Sequence, residues 1–313
     1  MSRYPSHTGQ LMYGVEGSYG SEAAASLYVG RYTNSTFTAN NNLIKDYDAG
    51  DRSVKNLHVG QFTGRGSVSF DIIDFSIFQY IFGARTGSGT SGAPYVYTVG
   101  STLSSLTFEQ GFNSTTDTNW TYIGCMCNSA TITFGKNKPL RCRSEWFYQT
   151  EKEDATIIAY TAPTTMPYSY LQGSLERTNS AIAAVQSGSF TIGNSLTTDD
   201  DCFSRLILGL YVGQSDISFE FVVNMDSDLA TTLWSDMYGQ AVASGPISTG
   251  TGILAGATFD LELDNGSVRD TTLAFSVSTI ESMSRPHDIG NEMVQCTFKG
   301  TSKTLTITEQ DSA

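Results

Sequence analysis

The chain holds three histidines and five cysteines, with one run of adjacent aspartates, and these are the residues whose chemistry would matter first. His7, His58 and His287 lie far apart in sequence, and no G-x-S-x-G places a serine on a strained turn. His287-Asp288 adjoin, but neighbouring side chains in a strand diverge, so no Ser/His/Asp relay is expected. The Gly135-Lys136 pair has Ala130 where a phosphate-binding loop needs its first glycine. Gly87–Gly92 is not followed by a helix whose N-terminus would hold phosphate and reads as a flexible loop. Asp199-Asp200-Asp201 would suit a hard cation but lacks EF-hand spacing and its bidentate glutamate, so a solvated loop is the expectation. Cys125 and Cys127 project to one face of a strand-like run without further ligands nearby, and read as buried thiols. No catalytic, cofactor-binding or metal-binding residue is expected, and a binding or structural role leads.

Composition agrees. The 313 residues carry Lys+Arg 18 against Asp+Glu 31, a formal charge of −13, and only 16% charged residues. Polarity comes from Ser, Thr, Asn and Gly, as in β proteins. A chain that grips nucleic acid gathers Lys and Arg, whereas the most basic stretch here, Lys136–Arg143, reads as a turn and its return strand. No apolar run is long enough to span a bilayer, and Met1–Glu16 has no signal-peptide core. The sequons at Asn34, Asn113 and Asn119 then read as accidents of composition, and unpaired cysteines point to synthesis in a reducing cytoplasm.

The elements that would position these residues occur twice. Sliding the chain by 153 positions aligns Phe37–Gln61 with Phe190–Gln214 without a gap. Eleven of twenty-five positions match, among them Asn41/Asn194, Leu43/Leu196, Asp46/Asp199, Asp48/Asp201, Leu57/Leu210, Val59/Val212 and Gly60/Gly213. Composition alone would give roughly two. With a small gap, Val68–Ile72 then parallels Ile217–Phe221. Helices are predicted over Phe75–Phe82, with Asp74 as cap and Gly83 as stop, and over Leu229–Tyr238, with Asp226 or Asp228 as cap and Gly239 as stop. Hairpins are predicted around Asn265-Gly266, between Trp120–Phe134 and Arg141–Tyr148, and between Leu273–Met283 and Glu292–Phe298. Glu151–Tyr170 reads as a linker. The expected organisation is a first copy over 1–150, a linker over 151–172 and a second copy over 173–313.

Alternation assigns faces. Ser69 and Asp71 oppose Val68, Phe70 and Ile72; Ser218 and Glu220 oppose Ile217, Phe219 and Phe221; Asp260 and Glu262 oppose Phe259, Leu261 and Leu263. Acid in both copies suits a ring-shaped assembly that turns one sheet face toward an axial channel.

Tyr13-Gly-Val-Glu-Gly-Ser-Tyr-Gly20 and Trp120-Thr-Tyr-Ile-Gly-Cys-Met-Cys-Asn-Ser-Ala-Thr-Ile-Thr133 resemble the tail tube proteins (major tail proteins) of tailed bacteriophages and related archaeal viruses. The resemblance implies a mainly β fold: two tandem β-sandwich or barrel-like domains, each with one short flanking helix. It also implies a virion subunit, assembled in the host cytoplasm, that stacks in rings around passing double-stranded DNA. Its partners would be itself and the tape-measure, baseplate or tip, and tail-terminator proteins, with no membrane and no cofactor. The duplication departs from single-domain relatives that form sixfold rings, and implies trimers with pseudo-sixfold symmetry. Ser69, Asp71, Ser218, Glu220, Asp260 and Glu262 would face an acidic lumen. The loops bearing Asn40, Asn41, Asn42, Asp46 and Asp48, and Asn194, Asp199 and Asp201, would clasp the next ring. The alternatives are a capsid-decoration or fibre protein of the virion and a carbohydrate-binding surface module.

Overall fold

Val68, Phe70, Ile217, Phe219 and Phe221 are buried, while Ser69, Ser218 and Glu220 between them keep contact with solvent. This is the one-dry-face pattern of antiparallel strands. It runs through a computed structural model of the chain, which describes residues 9–112, 119–154, 163–169, 173–182, 185–199, 204–224, 227–238, 256–264, 269–284 and 295–311.

In chain order come β1 (Gly9–Val15), β2 (Leu27–Tyr28), β3 (Arg31–Asn40), β4 (Ile44–Asp46), β5 (Asn56–His58) and β6 (Thr63–Asp71). Helix α1 (Phe78–Phe82) leads to β7 (Gly83–Thr86), β8 (Tyr95–Val99), β9 (Leu106–Phe112), β10 (Asn119–Gly135), β11 (Arg141–Tyr148) and β12 (Thr150–Asp154). Then follow β13 (Gly173–Arg177), β14 (Ser180–Ala181), β15 (Val185–Gly193), β16 (Thr197–Asp199), β17 (Gly209–Tyr211) and β18 (Asp216–Asn224). Helix α2 (Ser227–Tyr238), β19 (Ala257–Asp264), β20 (Arg269–Ser284) and β21 (Gln295–Asp311) complete the described chain. The fold is mainly β, with two short helices.

Apart from the β4–β5 and β16–β17 hairpins, the strands join into one barrel-like network. Its spine is an antiparallel ladder in the order β3-β6-β11-β10-β15-β18-β21-β20. A single rung crosses it through Asn34, Ser69, Arg143, Thr131, Thr191, Ser218, Thr301 and Thr279. The early part of β10 turns away to pair with β9 and β12, and the early part of β20 pairs with β19. β8 reaches across to β21, pairing Tyr97 with Ile307. One apolar cluster, from Leu11 to Ile307, fills the space between.

The registers keep the 153-residue spacing from β3 and β6 to β15 and β18 and from β10 to β20, while β11 answers to β21 at a spacing of 154. Asn40↔Thr63 and Asn34↔Ser69 in β3–β6 match Gly193↔Asp216 and Ser187↔Val222 in β15–β18. Bulges fall between Cys127 and Ser129 and between Ile280 and Ser282. Gly124 and Val277, also 153 apart, both have positive φ (74° and 55°) beside a second bulge. The gapped parallel is therefore corrected: Asp71 answers to Asn224 and Glu220 to Ser67. A four-residue slide preserves in–out alternation, so the sequence pattern alone cannot detect it.

Helix α1 is shorter than predicted. The Asp74 carboxylate instead closes the turn before it, accepting from the Ser76 backbone N–H at 2.9 Å and from its hydroxyl. Gly83 ends the helix at φ 97°. Helix α2 begins at Ser227, so Asp228 lies inside its first turn; Asp226, Gly239 and the Asn265-Gly266 turn lie outside the described residues. Within the expected linker, Thr150–Asp154 is strand β12, and buried Tyr168 is held by its N–H on the Ile72 carbonyl (3.0 Å).

The two motif segments meet at a buried carboxylate. Glu16 Oε1 accepts from the Gly124 N–H (2.7 Å) and the Thr107 hydroxyl (2.8 Å); Oε2 accepts from Ser105 (2.7 Å) and the Gly20 N–H (3.0 Å). Four donors satisfy a charge that burial would otherwise penalise. Glu16→Leu orphans those donors and is expected to lower unfolding free energy by about 3 kcal/mol or more, with Glu16→Gln intermediate, in urea titrations.

Candidate assembly site

The outward face of the ladder is built by strand parity from hydroxyls and charge pairs. Ser69, Ser129, Thr131, Thr133, Arg141, Arg143 and Glu145 line one shallow hollow. Ser189, Thr191, Ser218, Glu220, Glu281 and Lys299 line another beyond the β10–β15 join. Thr131 and Thr191 share a hydroxyl hydrogen bond of 2.9 Å across that join. The carboxylates do not stand alone. Arg141 Nε donates to Asp71 Oδ1 at 2.8 Å, Lys299 Nζ lies 2.7 Å from Glu220 Oε2, and Arg143 pairs with Glu145 at 3.6 Å. On the face expected to be acidic, Asp71 and Glu220 are thus each paired with a base from the adjacent strand, which alternation within one strand does not reveal.

Asp260 and Glu262 line neither hollow. They pair with Ala274 and Thr272, on the far side of the Val277 bulge from Thr279 and Ser282. Glu176 lies opposite Asp260 on β13. Burial, and then Glu176, push the Asp260 carboxyl above its usual range; Glu262 shifts the same way through burial, Glu176 and Asp260.

The loop residues separate into two environments. Asn41 is exposed, its side-chain oxygen accepting from Arg205 at 3.0 Å. Its counterpart Asn194 is buried at the join, where Nδ2 donates to the Ile81 carbonyl (2.9 Å) and the Cys127 carbonyl (3.0 Å). Both backbone carbonyls still accept the same bond, from Gly60 and Gly213, each at 3.0 Å. Asn42 and Ser195 follow with φ of 45° and 47°. Asn40 Oδ1 accepts from the Asn42 N–H (2.8 Å), Asp46 from Asn56, and Asp48 pairs with Lys55. Asp199 accepts from the Tyr211 hydroxyl at 3.1 Å; Asp201 lies outside the described residues.

Two features were not found in the sequence: the join itself and its buried Asn194. β10 covers β15 over seven register positions, Ser129↔Gly193 to Gly135↔Ser187. The corresponding strand β3 pairs, among the described strands, with β6 alone and is largely exposed. Beyond β19, the end of β20 near Ser282 and Ser284 pairs, among the described strands, with β21. Two strand ends of opposite sides therefore have no ladder neighbour among the described strands. The 153-residue match held a signal for this, since β3 and β15 are matched in sequence but not in their described neighbours.

Cys125, Cys127 and Cys142 are buried, and burial raises each thiol. Asn119 of one sequon is buried too. The described residues contain no cluster of metal-ligating side chains, and no helix among them is long and apolar enough to cross a membrane. His7, His287 and Asp288 lie outside the described residues.

A family model described as Phage tail tube protein matches residues 6–301, nearly the whole chain. No curated protein matches it significantly.

Asn194→Ala removes both bonds from a buried join and is expected to cost about 1–3 kcal/mol in urea unfolding. Asn41→Ala, on an exposed loop, is expected to stay within about 0.5 kcal/mol. The raised carboxyls give a pH test. Folded Asp260 holds its proton more tightly than the unfolded chain does, so its contribution falls as pH rises from the ordinary carboxylate range through the raised value. Asp260→Asn is expected to raise the melting temperature at pH 7, and the gain to vanish below the ordinary carboxylate range.

Proposed function

We propose, from the premise that this chain belongs to the phage tail tube protein family, that it is the repeating subunit of a virion tail tube, built as trimeric rings of two tandem copies each. The copies would span 1–150 and 173–313, joined through 151–172. The observation that carries this reading is the contrast between β15, covered by β10, and β3, its 153-residue counterpart, whose outer edge no described strand covers. A neighbour's β20 supplies the missing strand. Carrying the β10–β15 register forward by 153 sets Ser284 of one chain against Thr38 of the next, and Ser282 against Asn40.

The ladder geometry favours closure. The rung that leaves β3 at Asn34 reaches β15 at Thr191, the counterpart of Thr38, a step of four residues over four strands. Equal shear and strand number correspond to a tilt of about 36°. Three chains with eight ladder strands each, spaced by about 4.8 Å, then close a wall about 45 Å across between backbones.

The lumen would be lined by the outward face that bears Ser69, Asp71, Ser218 and Glu220, with Asp260 and Glu262 off the wall. Hydroxyls and neutralised pairs offer passing phosphates no cationic trap, so DNA slides rather than binds. Rings stack by heterologous contacts, which propagate as filaments. Tape-measure, tip and terminator proteins would set the length and ends.

A charge swap tests the seam. Thr38→Lys with Ser284→Lys places like charges across it and is expected to abolish rings and hollow filaments in negative-stain microscopy. Thr38→Lys with Ser284→Glu is expected to restore them, since opposed cross-strand charges differ by roughly 1 kcal/mol from like ones. Equal assembly of both variants overturns the register. Wild-type trimers that never form tubes would favour the decoration or fibre reading.

A further inference from the structure

We infer that the β4–β5 hairpin is a clasp within the ring, docking on the second half of the neighbouring chain rather than on the next ring. This rests on the ring reading above. The β16–β17 hairpin shows what such a hairpin does when its seat is present. Leu210 on β17, 8% exposed, forms a cluster with Leu103, Met126 and Ile207, flanked by Tyr19 and Phe147. Leu103, Met126, Tyr19 and Phe147 all precede residue 150, so one copy's hairpin rests on the other copy. Gln149 Nε2 donating to the Ile207 carbonyl (2.8 Å) and the Phe62 N–H donating to the Arg205 carbonyl (2.7 Å) hold it there.

The β4–β5 hairpin carries the same apolar residues at the matched positions, with no described residue burying them. Leu57, Val59 and Leu43, the counterparts of Leu210, Val212 and Leu196, are 61%, 57% and 55% exposed. Ile44 and Tyr47 extend the patch. Both hairpins leave the ladder through a left-handed residue, Asn42 or Ser195, and the same glycine-to-asparagine backbone bond. They therefore start from the same point in the same direction. If the seam repeats, the β4–β5 hairpin arrives where Thr279 and Thr301 occupy the register positions of Met126 and Phe147. That seat is more polar, and the second copy of this chain is the occupant that the geometry selects for the patch.

The test uses the full chain with Leu57→Asp and Val59→Asp together. These side chains are exposed in the monomer, so its melting temperature is expected to be unchanged. The concentration needed for trimers in sedimentation velocity is expected to rise at least tenfold. Leu210→Asp serves as contrast, because the same change in the docked hairpin is expected to lower monomer melting itself. Trimers that form at wild-type concentration, with only filaments lost, overturn the clasp and make the hairpin a stacking element. Trimers and filaments both unaffected overturn it as well. A wild-type chain that forms neither overturns the ring reading first, and the clasp with it.

Discussion

A β-strand edge is a row of backbone donors and acceptors that must be paired, covered or left to water. Most of this structure follows from where that requirement is met. The β10 edge meets β15 of the same chain, and the join makes one ladder of what would otherwise be two four-strand sheets. With β15 covered, Phe190 and Ile192 are buried and Asn194 is drawn into the join. With no described strand covering the outer edge of β3, Thr38, Ala39 and Asn40 are exposed, whereas their counterparts Thr191 and Gly193 are half-buried and Ile192 is buried. One covered edge and one open edge thus give matched sequences different environments.

The same ladder decides the electrostatics. Formal charge of −13 invites the picture of a uniformly acidic surface, but cross-strand pairing acts at shorter range than net charge. Asp71 with Arg141, and Glu220 with Lys299, are partly exposed pairs whose individual effect on stability is small. Their effect on the surface is larger, since together they leave the face without a bare carboxylate at Asp71 or Glu220. The unrelieved acid lies elsewhere, at Glu176, Asp260 and Glu262, where the raised carboxyls record both burial and mutual repulsion.

Much of the strand pattern was legible because alternation is a local property. Asp216–Asn224 alternates between buried and accessible along its length, as its sequence does. The repeat was legible because Phe, Leu, Val and Gly recur at fixed spacing. What lay beyond reach was relational. A slide of four residues leaves alternation intact, so the counterpart of Asp71 could be found only from the ladder. β21 runs to Asp311, well past Phe298, because threonines at 304, 306 and 308 alternate with Leu305 and Ile307 in a stretch with no turn signal to bound it. Glu16 gives no local sign that its carboxylate is buried, since its donors come from residues 20, 105, 107 and 124. Asn41 and Asn194 are the sharpest case: the same residue, the same backbone bond, and opposite burial set by a neighbour.

Fusing two copies also changes how such a ring would assemble. When neighbouring units share a chain, the seam between them forms as an intramolecular step, at an effective concentration that can reach the millimolar range. Only the seam between chains then depends on protein concentration. On the proposed ring, the seam within a chain would be free to specialise, as Met126 and Phe147 do beneath the β16–β17 hairpin, because it would never have to open. The seam between chains of that ring would have to stay soluble until partners meet, and its strands carry Asn34, Thr36, Thr38 and Asn40 on one side and Ser282 and Ser284 on the other. Polar strands of this kind resist indiscriminate edge pairing yet keep their backbone groups available. The difference in polarity between matched positions is therefore what a chain requires when one of its two seams is made at folding and the other only at assembly.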